Sequence, residues 1–146
     1  MLRGHHKATI DSKGRLKIPA AFRHVIEEKF GTEFFVTSIT GESAWLYPLP
    51  EWEEIEARLR ELPIMDPRKM KFMDRTNYYG KQTSMDSQGR ILIHPELRER
   101  ADLHGEVSVL GYVNHLEVWN TERFEKRLES ELYTREDAAA LAQLGI

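Results

Sequence analysis

Asp11-Ser12-Lys13-Gly14-Arg15-Leu16-Lys17-Ile18-Pro19 returns 75 residues later as Asp86-Ser87-Gln88-Gly89-Arg90-Ile91-Leu92-Ile93-His94-Pro95. Asp, Ser, Gly and Arg are identical at four of the first five positions, and Leu16/Ile91 and Ile18/Ile93 agree in type. Working outward, Phe22-Arg23 answers Leu97-Arg98, and Trp45-Leu46-Tyr47 answers Glu117-Val118-Trp119. Each half then enters an acidic helical stretch led by an aromatic, Trp52 or Phe124. The chain reads as two copies of one unit of roughly 50 residues joined by a connector.

Both copies have the same local logic. Asp-Ser-Lys-Gly and Asp-Ser-Gln-Gly are tight turns in which Gly14 and Gly89 supply a positive φ. Arg15 to Ile18 alternates polar and apolar, as a half-buried strand does. Pro19 suits the first turn of a helix with Phe22, Val25 and Ile26 on one face, and Gly31 suits its C-terminal stop. The second copy has a one-residue insertion, His94, before Pro95. Strands are expected around Phe34–Thr37, Ala44–Tyr47, Lys81–Met85, Arg90–Ile93, Val107–Tyr112 and Leu116–Trp119. Pro50 opens a helix carrying Trp52, Ile55, Leu59 and Leu62. Asp66-Pro67 reads as the cap and first residue of a connector helix to about Arg75. Thr121 reads as the cap of a helix with Phe124, Leu128 and Leu132, and Thr134 with Asp137 as a capping box. The expected fold is therefore α+β and β-rich. A unit this small buries too little surface to stand alone, so the two should share one core as an internal pseudo-dimer.

Composition limits the function. The 146 residues include no cysteine, which excludes disulfide scaffolds, thiol catalysis, Cys-zinc sites and iron–sulfur clusters. The mean hydropathy is −0.55, and no apolar run approaches a membrane span. The start lacks the apolar core of a secretory signal, so the expected compartment is the cytosol. Net charge is −3, yet residues 1–30 hold seven Lys/Arg against three Asp/Glu. A basic face on an acidic protein is what a polyanion would meet. His5 and His6 would point to opposite sides of a strand, and no metal-binding His spacing occurs. Ser12 and Ser87 lack a matched base, and no phosphate-cradling glycine loop is present. No catalytic residue, metal, cofactor or small-molecule substrate is expected. Lys126-Arg127 among glutamates reads as a solvated helix face.

Asp11 and Asp86 read as turn-forming residues. For Arg15 two readings stand: a structural pair with an acid such as Asp11, or a contact to DNA. Arg3, Lys7, Lys13 and Lys17 lie close to it in sequence, and strand alternation projects several of them to one face. Arg90 has the same two readings, with a contact between protomers added. Met65, Met70, Phe72 and Met73 exceed what an exposed linker needs, and read as a docking surface for the barrel or a neighbour.

Two Asp-x-x-Gly-Arg turns, each followed by apolar-x-Ile and then proline, resemble the SpoVT-AbrB-like swapped-hairpin DNA-binding unit. The tandem arrangement, Leu2-Arg3-Gly4, the Asp11–Arg15 box and Leu46-Tyr47-Pro48-Leu49-Pro50-Glu51-Trp52 look like the MraZ family of bacterial transcription regulators. The resemblance covers essentially the whole chain. It implies interleaved hairpins closing one small barrel, with units at 5–53 and 81–124, a helical connector at 54–80 and a helical segment at 125–146. It implies a ring of about eight or more protomers. It also implies binding to double-stranded DNA at promoter direct repeats upstream of its own division and cell-wall operon, as a repressor located at the nucleoid. Arg3, Lys7, Lys13, Arg15, Lys17 and Arg90 are then the candidate DNA contacts, and Asp11, Gly14, Asp86 and Gly89 the structural turn. An oligomeric scaffold that binds a protein through its acidic helices, and an antitoxin-like regulator, are the alternatives.

Overall fold

The computed structural model describes residues 1–146. The first copy runs β1 (His5–Ile10), β2 (Arg15–Lys17), α1 (Ala20–Lys29), β3 (Glu33–Thr37) and β4 (Ala44–Pro48). Two helices follow, α2 (Leu49–Glu61) and α3 (Pro67–Tyr78). The second copy runs β5 (Lys81–Ser84), β6 (Arg90–Leu92), α4 (Pro95–Ala101), β7 (Gly105–Gly111) and β8 (Leu116–Trp119), then α5 (Thr121–Ser130) and α6 (Arg135–Ala142).

All eight strands form one antiparallel sheet in the order β5-β3-β4-β8-β7-β1-β2-β6. The copies alternate along it. The first strand of each copy pairs with the third strand of the other, β1 with β7 and β5 with β3. The edge strands β5 and β6 are consecutive in the chain and lie against each other, so the sheet curls into a nearly closed barrel. At the centre of one side Leu16 faces Ile91, its own counterpart 75 residues on. Across the barrel Trp45 faces Glu117, again its counterpart. A pseudo-two-fold axis therefore passes through both pairs. The second strands are joined reciprocally beyond the ladder: Ile18 N–H donates to the Gly89 carbonyl (2.9 Å) and Ile93 N–H to the Gly14 carbonyl (3.0 Å).

The core follows the alternation. Leu16, Ile18, Phe22 and Ile26 of one copy meet Ile91, Ile93, Leu97 and Ala101 of the other, all buried. Each large apolar side chain so buried contributes about 1.5–3 kcal/mol. Neither copy can keep this burial without its mate, which is why the duplication folds as one body. Outside the barrel Trp52 of α2 stacks on Phe35, and Phe72 of α3 stacks on Trp52. The α5 helix is held by an edge contact of Phe124 on Trp119. The α6 helix buries no residue.

Several expectations need correction. There is no insertion at His94: it is the N-cap of α4 as Pro19 is of α1, so the 75-residue register continues unbroken and only the proline has shifted by one. Asn120, not Thr121, caps α5; its Oδ1 accepts from Arg123 N–H (3.0 Å), while the Thr121 hydroxyl bonds Ser108 (2.7 Å). The connector helix runs on to Tyr78, capped as expected by Asp66. Leu62 lies past the end of α2 and is exposed. Arg127 is not simply solvated: its guanidinium sits over the Trp119 ring, 5.1 Å from the centroid. Of Met65, Met70, Phe72 and Met73 only Phe72 is partly covered, and the three methionines are exposed. The Thr134–Asp137 capping box, the Gly31 stop after α1 and the positive φ of Gly14 (85°) and Gly89 (76°) are all present.

Candidate nucleic-acid interface

The two boxes fold into the same closed turn. In the first, Asp11 Oδ1 accepts from Lys13 N–H (3.0 Å) and Arg15 N–H (2.9 Å), and Oδ2 accepts from Arg15 Nε (2.8 Å). In the second, Asp86 accepts from Gln88 N–H, Arg90 N–H and Arg90 Nε at 2.9, 2.9 and 2.8 Å. The Arg15 backbone N–H does most to hold the Asp11 carboxyl below its ordinary value; its side chain and the Lys13 N–H add to this, and desolvation opposes it. Asp86 is lowered in the same way by Arg90 and Gln88. The aspartate thus shapes the turn and orients an arginine at once. Only Nε of each arginine is used by it, and the terminal amino groups of Arg15 and Arg90 have no partner in the chain.

Strand β2 buries Leu16 and turns Arg15 and Lys17 outward; β6 buries Ile91 and turns Arg90 and Leu92 outward. In register, Arg15 stands opposite Leu92 and Lys17 opposite Arg90. Arg15, Lys17 and Arg90 therefore share one outer face, with exposed Lys13 on the adjoining turn. Lys7 is exposed on β1 and pairs with Glu106 of β7 (3.4 Å). Arg3 lies beyond the other end of β1, where Leu2 bridges Val113. An extended chain rises about 3.3 Å per residue, so Arg3 is well removed from the turn. The structure brings together five of the six candidate cations, since Lys7 lines one groove with Lys17 on the neighbouring strand, and leaves only Arg3 apart.

The halves differ in how their turns are tied. Lys17 Nζ donates to the Gln88 carbonyl (2.7 Å) and Arg23 Nη2 to the Ser87 carbonyl (2.9 Å), so first-half cations hold the second turn. Leu92 stands where Lys17 would be in the second half, and the tip of the first turn has no such tether. Arg23 and Arg98 adjoin the turns although neither is among the candidates the sequence points to. Their signal in the sequence is the match of Phe22-Arg23 with Leu97-Arg98.

No helix is long and apolar enough to cross a membrane. The model of a family described as "MraZ protein, putative antitoxin-like" matches residues 1–75 and 80–144. A protein of Acidobacterium capsulatum named transcriptional regulator MraZ is 48% identical over 146 residues, covering all of both chains. One of Koribacter versatilis with the same name is 47% identical over 147 residues, again covering all of both. One of Neisseria meningitidis serogroup A is 35% identical over 146 residues, covering 99% of this chain and 96% of its own. With both repeats matched and full-length relatives near half identity, the chain belongs to the MraZ family.

Proposed function

We propose that the protein is a sequence-specific, double-stranded-DNA-binding transcriptional regulator, acting in the cytoplasm at the nucleoid as a repressor of its own division and cell-wall operon. The observation that carries this is the outer face of β2 and β6. Arg15, Lys17 and Arg90 project there from a paired ladder, both arginines pre-oriented by a carboxylate. Relatives of full length are named transcriptional regulators. A guanidinium fixed through Nε keeps its terminal amino groups free, which suits bidentate contact with guanine O6 and N7. Lys13 and Lys17 suit phosphates, with Lys7 and Arg3 serving the flanking backbone.

One module has few cations, so its affinity alone is modest and falls steeply with salt. A homo-oligomeric ring of about eight or more protomers lets several modules engage successive direct repeats and raises affinity without new contacts. Tandem repeats suit a head-to-tail ring because each is reached by the same rotation. The reading needs no catalytic residue, cofactor or small molecule. A gel shift on the DNA just upstream of its own gene, with unrelated competitor, tests it; no selective shift would refute it.

A second reading has two observations in its favour: the family description is antitoxin-like, and α6 buries nothing. Co-purification with the product of an adjacent open reading frame would support it.

A further inference from the structure

Each box turn is covered by an arginine from the opposite repeat. A β-carbon built on Gly14 would meet the Arg98 guanidinium, with Nη2 only 2.8 Å away, and one built on Gly89 would meet Arg23, with Cδ at 2.8 Å and Nε at 2.9 Å. Arg98 belongs to α4 of the second repeat and Arg23 to α1 of the first. The contacts are crossed and reciprocal, as the pseudo-two-fold axis requires. Each arginine is anchored separately: Arg98 Nε donates to the Ile93 carbonyl (2.6 Å), and Ile93 N–H donates back to the Gly14 carbonyl (3.0 Å). Arg23 Nε binds Glu27 (2.6 Å) while its Nη2 reaches the Ser87 carbonyl (2.9 Å). The glycines thus serve two needs, a positive φ and a bare surface on which a guanidinium can lie.

We propose that Arg98 and Arg23 are crossed positioning residues, each bracing the turn of the other repeat, so that the second repeat sets the geometry of Lys13 and Arg15. This rests on the reading that the first turn contacts DNA. In that case the second repeat contributes to recognition through Arg98 even where its own turn stays off the duplex. A guanidinium laid against the glycine excludes water from the Gly14 side and limits the hinge motion of the turn. A contact displaced by about 1 Å by a loose support loses much of its effect.

The test uses the full-length protein and two readouts. Amide hydrogen exchange needs no DNA. Arg98→Ala should speed exchange at the Gly14 and Arg15 amides about tenfold and leave Gly89 and Arg90 alone; Arg23→Ala should do the converse. Binding to the upstream DNA across a salt series is the second readout. Arg98→Ala should weaken it about tenfold, the scale of one mispositioned arginine contact. Its log–log salt slope should equal the parent's, because no phosphate contact is lost. Arg98→Lys should not restore affinity, since it keeps the charge and loses the plane; it also serves where the alanine variant fails to fold. Unchanged exchange, or equal acceleration in both turns, would overturn the brace. A slope reduced by about one with rescue by lysine would make Arg98 a phosphate contact instead. A parent protein that binds no DNA would refute the DNA reading and leave the crossed exchange pattern to judge the brace alone.

Discussion

Lys17 and Arg90 face one another as Cα partners across the β2–β6 pair. Two cations directly opposite in an antiparallel ladder repel. Each has a local outlet, Lys17 on the Gln88 carbonyl and Arg90 on Asp86. Those outlets tie the second turn, and under the proposed function a polyanion laid over the strands would also relieve the repulsion. Lys17→Ala should shift unfolding free energy by no more than about 1 kcal/mol, since a lost exposed hydrogen bond and a relieved repulsion offset one another. It should weaken all DNA sequences similarly and reduce the salt slope by about one. A large loss of stability with DNA binding intact would reverse this assignment.

Gly14 and Gly89 sit at φ of 85° and 76°. Gly→Val at either strains the backbone, costing about 1–3 kcal/mol, and drives Cβ into the opposing arginine. For a chain of this size that is a fall of several degrees in Tm, at about 2–4 °C per kcal/mol. Thermal melts of the two variants should show similar drops. A melting temperature equal to the parent's at either position would show that its turn tolerates a side chain.

Much of this was legible because it is local. The box, the glycine turns and the Thr134–Asp137 cap depend on residues within four positions of each other. Alternation in Arg15–Ile18 showed which side chains are buried. It could not show that β1 pairs with β7, because any half-buried strand offers the same edge to any partner; here the family resemblance, not spacing, implied the crossing. The tether from Lys17 to Gln88 spans 71 residues and the overlay of Arg98 on Gly14 spans 84, so neither leaves a local trace. The supposed insertion at His94 came from aligning prolines. Helix packing aligns Phe22 with Leu97 instead, and a proline fits either the cap or the first helical position.

Acid should loosen the boxes. Asp11 and Asp86 are both held below their ordinary value of 3.8. A carboxylate with a lowered folded pKa adds stability that is complete above its unfolded value and is lost as pH falls through the folded one. The double variant Asp11→Asn/Asp86→Asn should therefore be less stable than the parent at neutral pH. The gap should narrow as pH falls below 3.8. Asp66, at about 2, and Asp137 titrate in the same region in both proteins, so the difference between parent and variant is the quantity to measure. Denaturant melts at several pH values would show it. A gap independent of pH would remove the charge from the turn's account.

Assembly is the next expectation. Met65, Met70 and Met73 on the connector and Leu128, Leu132 and Tyr133 after the barrel are exposed, and a neighbouring protomer is what would cover them. Light scattering at micromolar concentration should give a mass several times 17.1 kDa. A clean monomer would defeat both the ring and the avidity that depends on it.

Arg15 and Arg90 provide the strictest comparison, because their hydrogen bonds to the box aspartate match one for one. Each gives Nε to its aspartate at 2.8 Å and each sits at the start of a three-residue strand. Alanine at either should therefore cost about the same stability, and matched Tm values are the internal control. Their neighbours differ. Lys13 flanks Arg15 on a turn whose tip carbonyls accept no side-chain hydrogen bond, whereas Gln88 flanks Arg90 on a turn whose tip carbonyls accept from Lys17 and Arg23. Operator binding should therefore suffer more from Arg15→Ala than from Arg90→Ala. If Arg15 reads a base, its loss costs about 1–3 kcal/mol per module and relaxes specificity at one position. Engagement of several modules multiplies that loss on the full set of repeats, so single-repeat and full-operator DNA should be compared. Salt-dependent binding of both variants, with the oligomer confirmed in parallel, settles it. Equal losses would make the two turns equivalent readers, and an Arg15→Ala protein that binds like the parent would move the contact elsewhere on the face.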